Sequence, residues 1–209
     1  MILNLFHTEN HSSESFTRNK LENREVLYEI GDAQLWQEFQ LGNEKAYAVI
    51  YKNNVSSLYS YGLKIVNNKD LVQDCIQDLF VEIWNNKDKL GKVKSIKPYL
   101  YTCVRRKLIS EAQKSRSKAT IKEKDVVLKS LSSSSIEKSL IEKQNFDQQK
   151  KRLKEAMEKL TKKQKEILHL KYSAQLSYDE ITQIMSLSKK GAYKLVDRAI
   201  RGLRKYMLK

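Results

Sequence analysis

From residue 32 onward, apolar side chains recur three and four positions apart along the chain, and polar runs separate one series from the next. That spacing predicts amphipathic helices. Asp32 is placed to cap a first helix carrying Leu35, Trp36 and Phe39, which Gly42 ends. Asn43 then caps a longer helix with Ala46, Tyr47, Ile50, Tyr51, Leu58, Tyr59, Ile65 and Val66 on its stripe. After the polar turn Asn67-Asn68-Lys69, a third helix repeats Leu71, Val72, Cys75, Ile76, Leu79, Phe80, Ile83 and Trp84. Pro98 sits near the start of a fourth, which bears Tyr99, Leu100, Cys103, Val104, Leu108 and Ile109.

Periodicity then lapses. Between about Gln113 and Ser135 the chain is lysine, serine and scattered valine, the composition of a linker. It returns as helices expected at 136–160, 162–172, 178–185 and 189–207, with capping boxes at Thr161/Gln164 and Ser177/Glu180. The expected fold is therefore all-α: two small helical domains joined by a flexible linker. The segments are a flexible tail (1–31), a helical domain (32–114), the linker (115–135) and a second helical domain (136–209). With six glycines and one proline in 209 residues, few breakers oppose this reading.

Charge narrows the choice of partner. The chain carries 40 Lys and Arg against 25 Asp and Glu, a formal net charge of +15, which suits a polyanion. No apolar run is long enough to span a bilayer, and residues 1–6 lack the flanks of a signal peptide, so a cytoplasmic protein without membrane insertion is expected. Cys75 and Cys103, with no CxxC spacing, are read as reduced core residues.

The charge is not uniform. Ser177–Met185 is a short capped helix, Ser186-Leu187-Ser188 a tight turn, and residues 189–209 set eight Lys and Arg against Asp197 alone. That is helix-turn-helix spacing, with the basic second helix placed for the major groove. Ser188 caps it, Lys189, Lys190 and Arg201 suit phosphates, and Tyr193, Lys194 and Arg198 can approach base edges. The fourth helix interleaves Lys97, Tyr99, Tyr101, Arg105, Arg106, Lys107 and Lys114, a mixture suited to stacking and holding a single strand. The third helix instead lines up Asp74, Gln77, Asp78 and Glu82, an acidic stripe that suits a basic protein partner or simply solvent.

These residues carry a resemblance. Val72–Trp84 resembles the pattern AEDxVQEVFxxxW of extracytoplasmic-function sigma factors, Pro98–Ser110 resembles the WLyxIARNxxxD segment that follows it, and 176–181 with 198–204 resemble LSYEEIA and RAxxxLR. The resemblance spans about residues 32–114 and 136–207. It implies a transcription initiation factor, with no catalysis and no cofactor or metal. Asp74, Gln77, Asp78 and Glu82 would bind core RNA polymerase. Lys97, Tyr99, Tyr101, Arg105, Arg106, Lys107 and Lys114 would help melt and hold the minus-ten promoter DNA. Ser188, Lys189, Lys190, Tyr193, Lys194, Arg198 and Arg201 would read the minus-thirty-five element. An anti-sigma factor is a further implied partner. The chain departs from the family pattern at Tyr99 (usually Trp), Arg106 (Asn), Ser110 (Asp) and Gly191 (Thr), which bears on promoter preference.

Two other readings compete. A helix-turn-helix regulator that binds duplex DNA unaided accounts for residues 136–209, but not for the acidic and aromatic-basic helices before the linker. A DNA-acting enzyme would need chemistry that the sequence scarcely offers. His7 and His11 stand four residues apart but in the polar tail, His169 lies alone on a helix, no glycine-rich phosphate loop occurs, and Asp74 with Asp78, a pair that could hold magnesium at one-turn spacing, is more simply the polar side of its helix.

Overall fold

The computed structural model describes residues 30–118 and 140–207. The expected tail, with His7 and His11, most of the expected linker and the start of the helix expected at 136 lie outside the described residues. What is described is all-α, with no strand among the described residues. Contacts divide the chain into two compact units. Of the described residues, one comprises 30–54 together with Phe80–Ile96; the other comprises Val55–Leu79 together with 97–118 and 140–207.

In the first unit, α1 (Asp32–Gln40) buries Leu35, Trp36 and Phe39 on one side. Asp32 does not cap it. Gly31 occupies the N-cap, and the Asp32 carboxylate instead accepts from the Ser95 hydroxyl at 3.1 Å and the Ile96 amide at 2.8 Å. A carboxylate inside the first turn cannot bond its own helix as a cap does, so it serves another helix's free amide. Gly42 turns the chain with φ +86°, and Asn43 accepts from the Lys45 and Ala46 amides to open α2 (Glu44–Ile65). Asn68 likewise caps α3 (Lys69–Asn85) through the Leu71 amide. Tyr47 and Trp84 pack with ring centroids 4.9 Å apart, and the Tyr47 hydroxyl donates to the Phe80 carbonyl. Trp36 Nε1 donates to the Gly91 carbonyl, which pins the segment ahead of the next helix. Both indole and phenol thus bury their rings while their polar atoms stay satisfied.

The second unit adds α4 (Ile96–Lys118), α5 (Leu140–Glu158), α6 (Lys162–Leu168), a π-turn (His169–Ser173), α7 (Tyr178–Met185) and α8 (Lys189–Met207). Gly62 lets α2, α3 and α4 approach closely: a Cβ there would lie 2.5 Å from Val72 and 3.2 Å from Leu108. Cys75 is buried beside them, whereas Cys103 is only half-buried, short of the core position expected for it.

Both expected capping boxes are present, at Thr161/Gln164 and Ser177/Glu180. The helix expected over 162–172 is instead α6 followed by the π-turn, after which Gln175 adopts a left-handed φ of 58°. That wider turn keeps Leu170 in the core and lets the Leu176 amide return to the Leu170 carbonyl at 3.0 Å. The apolar face of α8 (Ala192, Val196, Ala199) is buried, and α5, α6 and α7 all pack against it. Leu160 and Leu168 meet Ala199 there, with Met157, Ile200, Leu203 and Tyr206 around them.

Candidate nucleic-acid interface

The helix-turn-helix is built locally. Ser186, in the left-handed region at φ 53°, ends α7 and turns the chain. The Ser188 hydroxyl then accepts from the Gly191 amide at 3.1 Å, capping α8 as expected. A Cβ at 191 would lie 3.1 Å from that same hydroxyl, a tight contact. With Ala192, Val196 and Ala199 turned inward, the helix period leaves Lys189, Lys190, Tyr193, Lys194, Arg198 and Arg201 exposed. Two of these cations are already engaged. Lys189 pairs with Asp179 at 2.9 Å, which raises its pKa, and Arg201 pairs with Asp197 one turn earlier.

On α3, Asp74, Gln77, Asp78 and Glu82 are all exposed along the helix, opposite the buried Val72, Cys75, Ile76 and Leu79. The acidic stripe expected from the spacing thus lies on the surface. Among the described residues, no group of three or more His, Cys, Asp or Glu side chains is arranged to hold a metal.

The α4 residues are distributed less simply. Arg106 and Lys114 are exposed, with Lys114 salt-bridged to Glu111 at 2.7 Å. Lys107 and Tyr99 are half-buried, and burial with the nearby Cys103 pushes the Tyr99 phenol up to about 12. Tyr101 is a core residue rather than an exposed one. It is 0% exposed, its ring 4.7 Å from that of Tyr61, because it lies on the same face as Val104 and Leu108. Those spacings, three and seven residues, could have placed it inside from sequence.

Arg105 is turned toward Glu166, a residue that the sequence did not single out. Its Nε donates to the Glu166 carboxylate at 2.7 Å, and the Tyr61 hydroxyl donates to the same oxygen at 2.8 Å. Glu166 is only 6% exposed, so these two donors balance a carboxylate largely removed from water. Burial, then that carboxylate, drives the Tyr61 phenol far above its ordinary range. Lys97 Nζ donates to the Ala174 carbonyl at 2.7 Å. His169 stacks on Tyr61 with centroids 5.8 Å apart, and its Nε2 is buried without a hydrogen-bond partner. Burial, aided by Lys64 and Lys97, lowers its pKa to about 4. A glutamate on the inner face of α6, four residues before the buried Leu170, is the sequence signal that marks this cluster.

Comparison with known proteins falls on the same two regions. Residues 50–118 match the family Sigma-70 region 2, and residues 150–203 match the family Sigma-70, region 4, together more than half of the chain. No curated protein matches it in sequence. Among solved structures it is similar to the sigma factor RpoE of Bartonella quintana, crystallised with the anti-sigma factor NepR. That match has 18% identity and a TM-score of 0.59 over 78% of this chain and 97% of that one. It is also similar to CnrH in complex with the cytosolic domain of CnrY, with 16% identity and a TM-score of 0.56 over 83% of this chain and 95% of that one. Two sigma-70 regions in order, on an all-helical fold with an acidic α3 and a basic α8, give one conclusion: the chain belongs to the sigma-70 family of transcription initiation factors.

Proposed function

We propose a division of labour in which each exposed charged face of this sigma factor meets one partner. The acidic face of α3 (Asp74, Gln77, Asp78, Glu82) docks on a basic surface of core RNA polymerase. Arg106 and Lys107, with Tyr99, Lys97, Lys114 and Arg105, follow the melted minus-ten strand. On α8, Lys190, Tyr193, Lys194 and Arg198 meet the minus-thirty-five duplex, with Ser188, Lys189 and Arg201 at its margins. The carrying observation is the segregation of charge. In a chain of net charge +15, four acidic or amide side chains share one exposed helix face, while α8 exposes cations. Opposite charge on separate faces suits a protein partner and DNA at once.

No chemical step is required of the chain itself. Opening a base step costs about a few kcal/mol, and strand contacts offset it. No helix among the described residues is long and apolar enough to cross a membrane, and a cytoplasmic setting fits a partner of RNA polymerase. The two similar structures hold RpoE with NepR and CnrH with CnrY, which supports an anti-sigma factor as a partner of this chain also.

The assignment is tested by Arg106→Ala, which leaves the Arg105–Glu166 pair in place. Open-complex formation, followed by permanganate reactivity of unpaired thymines, should fall more than tenfold while core binding holds. Equal loss of both would refute the separate roles.

A further inference from the structure

Two consecutive residues at the start of α7 hold two residues of the recognition helix. Asp179 pairs with Lys189, and the Tyr178 ring lies against Tyr193 with centroids 3.9 Å apart and planes tilted 33°. Lys171 Nζ in turn sits 4.7 Å from the centroid of the Tyr178 ring. Tyr193 is the fifth residue of α8 and is 48% exposed. It stands next to Lys194 and one turn after Lys190, both exposed and cationic, which commits the surface to DNA by charge. The stack on Tyr178 restricts the ring's torsions before binding, so little rotamer freedom is lost on contact.

The N-terminal part of a recognition helix is the part that meets base edges. In the major groove those edges offer hydrogen-bonding groups and a single apolar one, the thymine C5-methyl. We infer that Tyr193 reads a thymine methyl in the upstream duplex element, and that Tyr178 is its positioning residue, holding the ring at the angle that contact requires. The inference rests on the promoter-binding reading above and adds a specificity determinant, and the base class it selects, to that site.

The test uses the full chain bound to bacterial core RNA polymerase. Bound sequences are selected from a randomised duplex pool, and each thymine of the selected upstream element is then replaced by uracil, which removes only the methyl. One position should lose about fourfold in affinity, the worth of burying one methyl group. Tyr193→Phe should keep that sensitivity and Tyr193→Ala should abolish it. Tyr178→Ala should bring it close to zero with the helical circular dichroism unchanged, while Tyr178→Phe restores it. Absence of any uracil-sensitive position, or sensitivity that persists in Tyr193→Ala, would overturn the inference while leaving promoter binding intact. So would a Tyr193→Phe variant that weakens on every sequence, since that marks a phosphate contact by the hydroxyl. Failure to select any sequence would overturn the promoter-binding reading itself, and the inference with it.

Discussion

Arg105 Nε and the Glu166 carboxylate lie 2.7 Å apart, so a guanidinium assigned to a DNA strand is engaged within the folded chain. The pair is only partly open to water, with side-chain exposures of 17% for Arg105 and 8% for Glu166. An ion pair in such a setting contributes little net stability, but removing one partner leaves the other charge uncompensated.

Replacing Glu166 with Gln keeps an acceptor for the Tyr61 hydroxyl and removes the charge that holds Arg105. The free chain should then bind a single-stranded minus-ten oligonucleotide roughly fivefold more tightly, the equivalent of about 1 kcal/mol for a weakly shielded pair. Fluorescence anisotropy reads this directly. Unchanged affinity would mean that Arg105 does not contact the strand.

Salt dependence separates the α8 cations that meet DNA from those tied up within the protein. Lys190→Ala and Lys194→Ala should each reduce the slope of log affinity against log salt by about 0.9, one phosphate contact apiece. Arg201→Ala should change it less, because Arg201 already pairs with Asp197. A titration series from low to moderate salt on one promoter duplex decides the point.

His169 gives the fold a pH dependence of known sign. It is partly buried against Tyr61, with Lys64, Lys97 and Glu166 around the same cluster, and its pKa falls from the ordinary 6.5 to about 4. Between those values the unfolded chain binds the proton and the folded chain does not, so stability rises with pH across that window. As pH falls from about 6.5 toward about 4, this contribution is lost. Tm of wild type minus Tm of His169→Phe, which keeps a ring against Tyr61 but does not titrate, should therefore rise as pH increases through the window. A difference that stays flat would show that His169 titrates normally in the folded state.

Much of this was legible in the residues, for physical reasons that can be named. Thr161/Gln164 and Ser177/Glu180 form capping boxes because the pairing is local: four residues decide it. The exposure of Lys190, Lys194 and Arg198 follows from the 3.6-residue period once Ala192, Val196 and Ala199 are placed inside. What escaped depends on contacts remote in sequence. Asp32 was read as its own helix's cap, yet it serves the start of α4, more than sixty residues away. Tyr101 was read by its residue type, although its spacing to Val104 and Leu108 put it in the core. The π-turn at His169–Ser173 was invisible because its apolar positions continue a helical pattern without interruption. Glu166 was missed because a glutamate on a basic, polar chain looks solvated until Tyr61 and Arg105 are found beside it.

The central claim is that this chain acts on promoters through RNA polymerase. Purified protein mixed with bacterial core enzyme should co-elute in gel filtration, and promoter duplex should shift only when core is present. Specific, tight duplex binding by the chain alone, without association with core, would contradict the account and leave a simple helix-turn-helix regulator in its place.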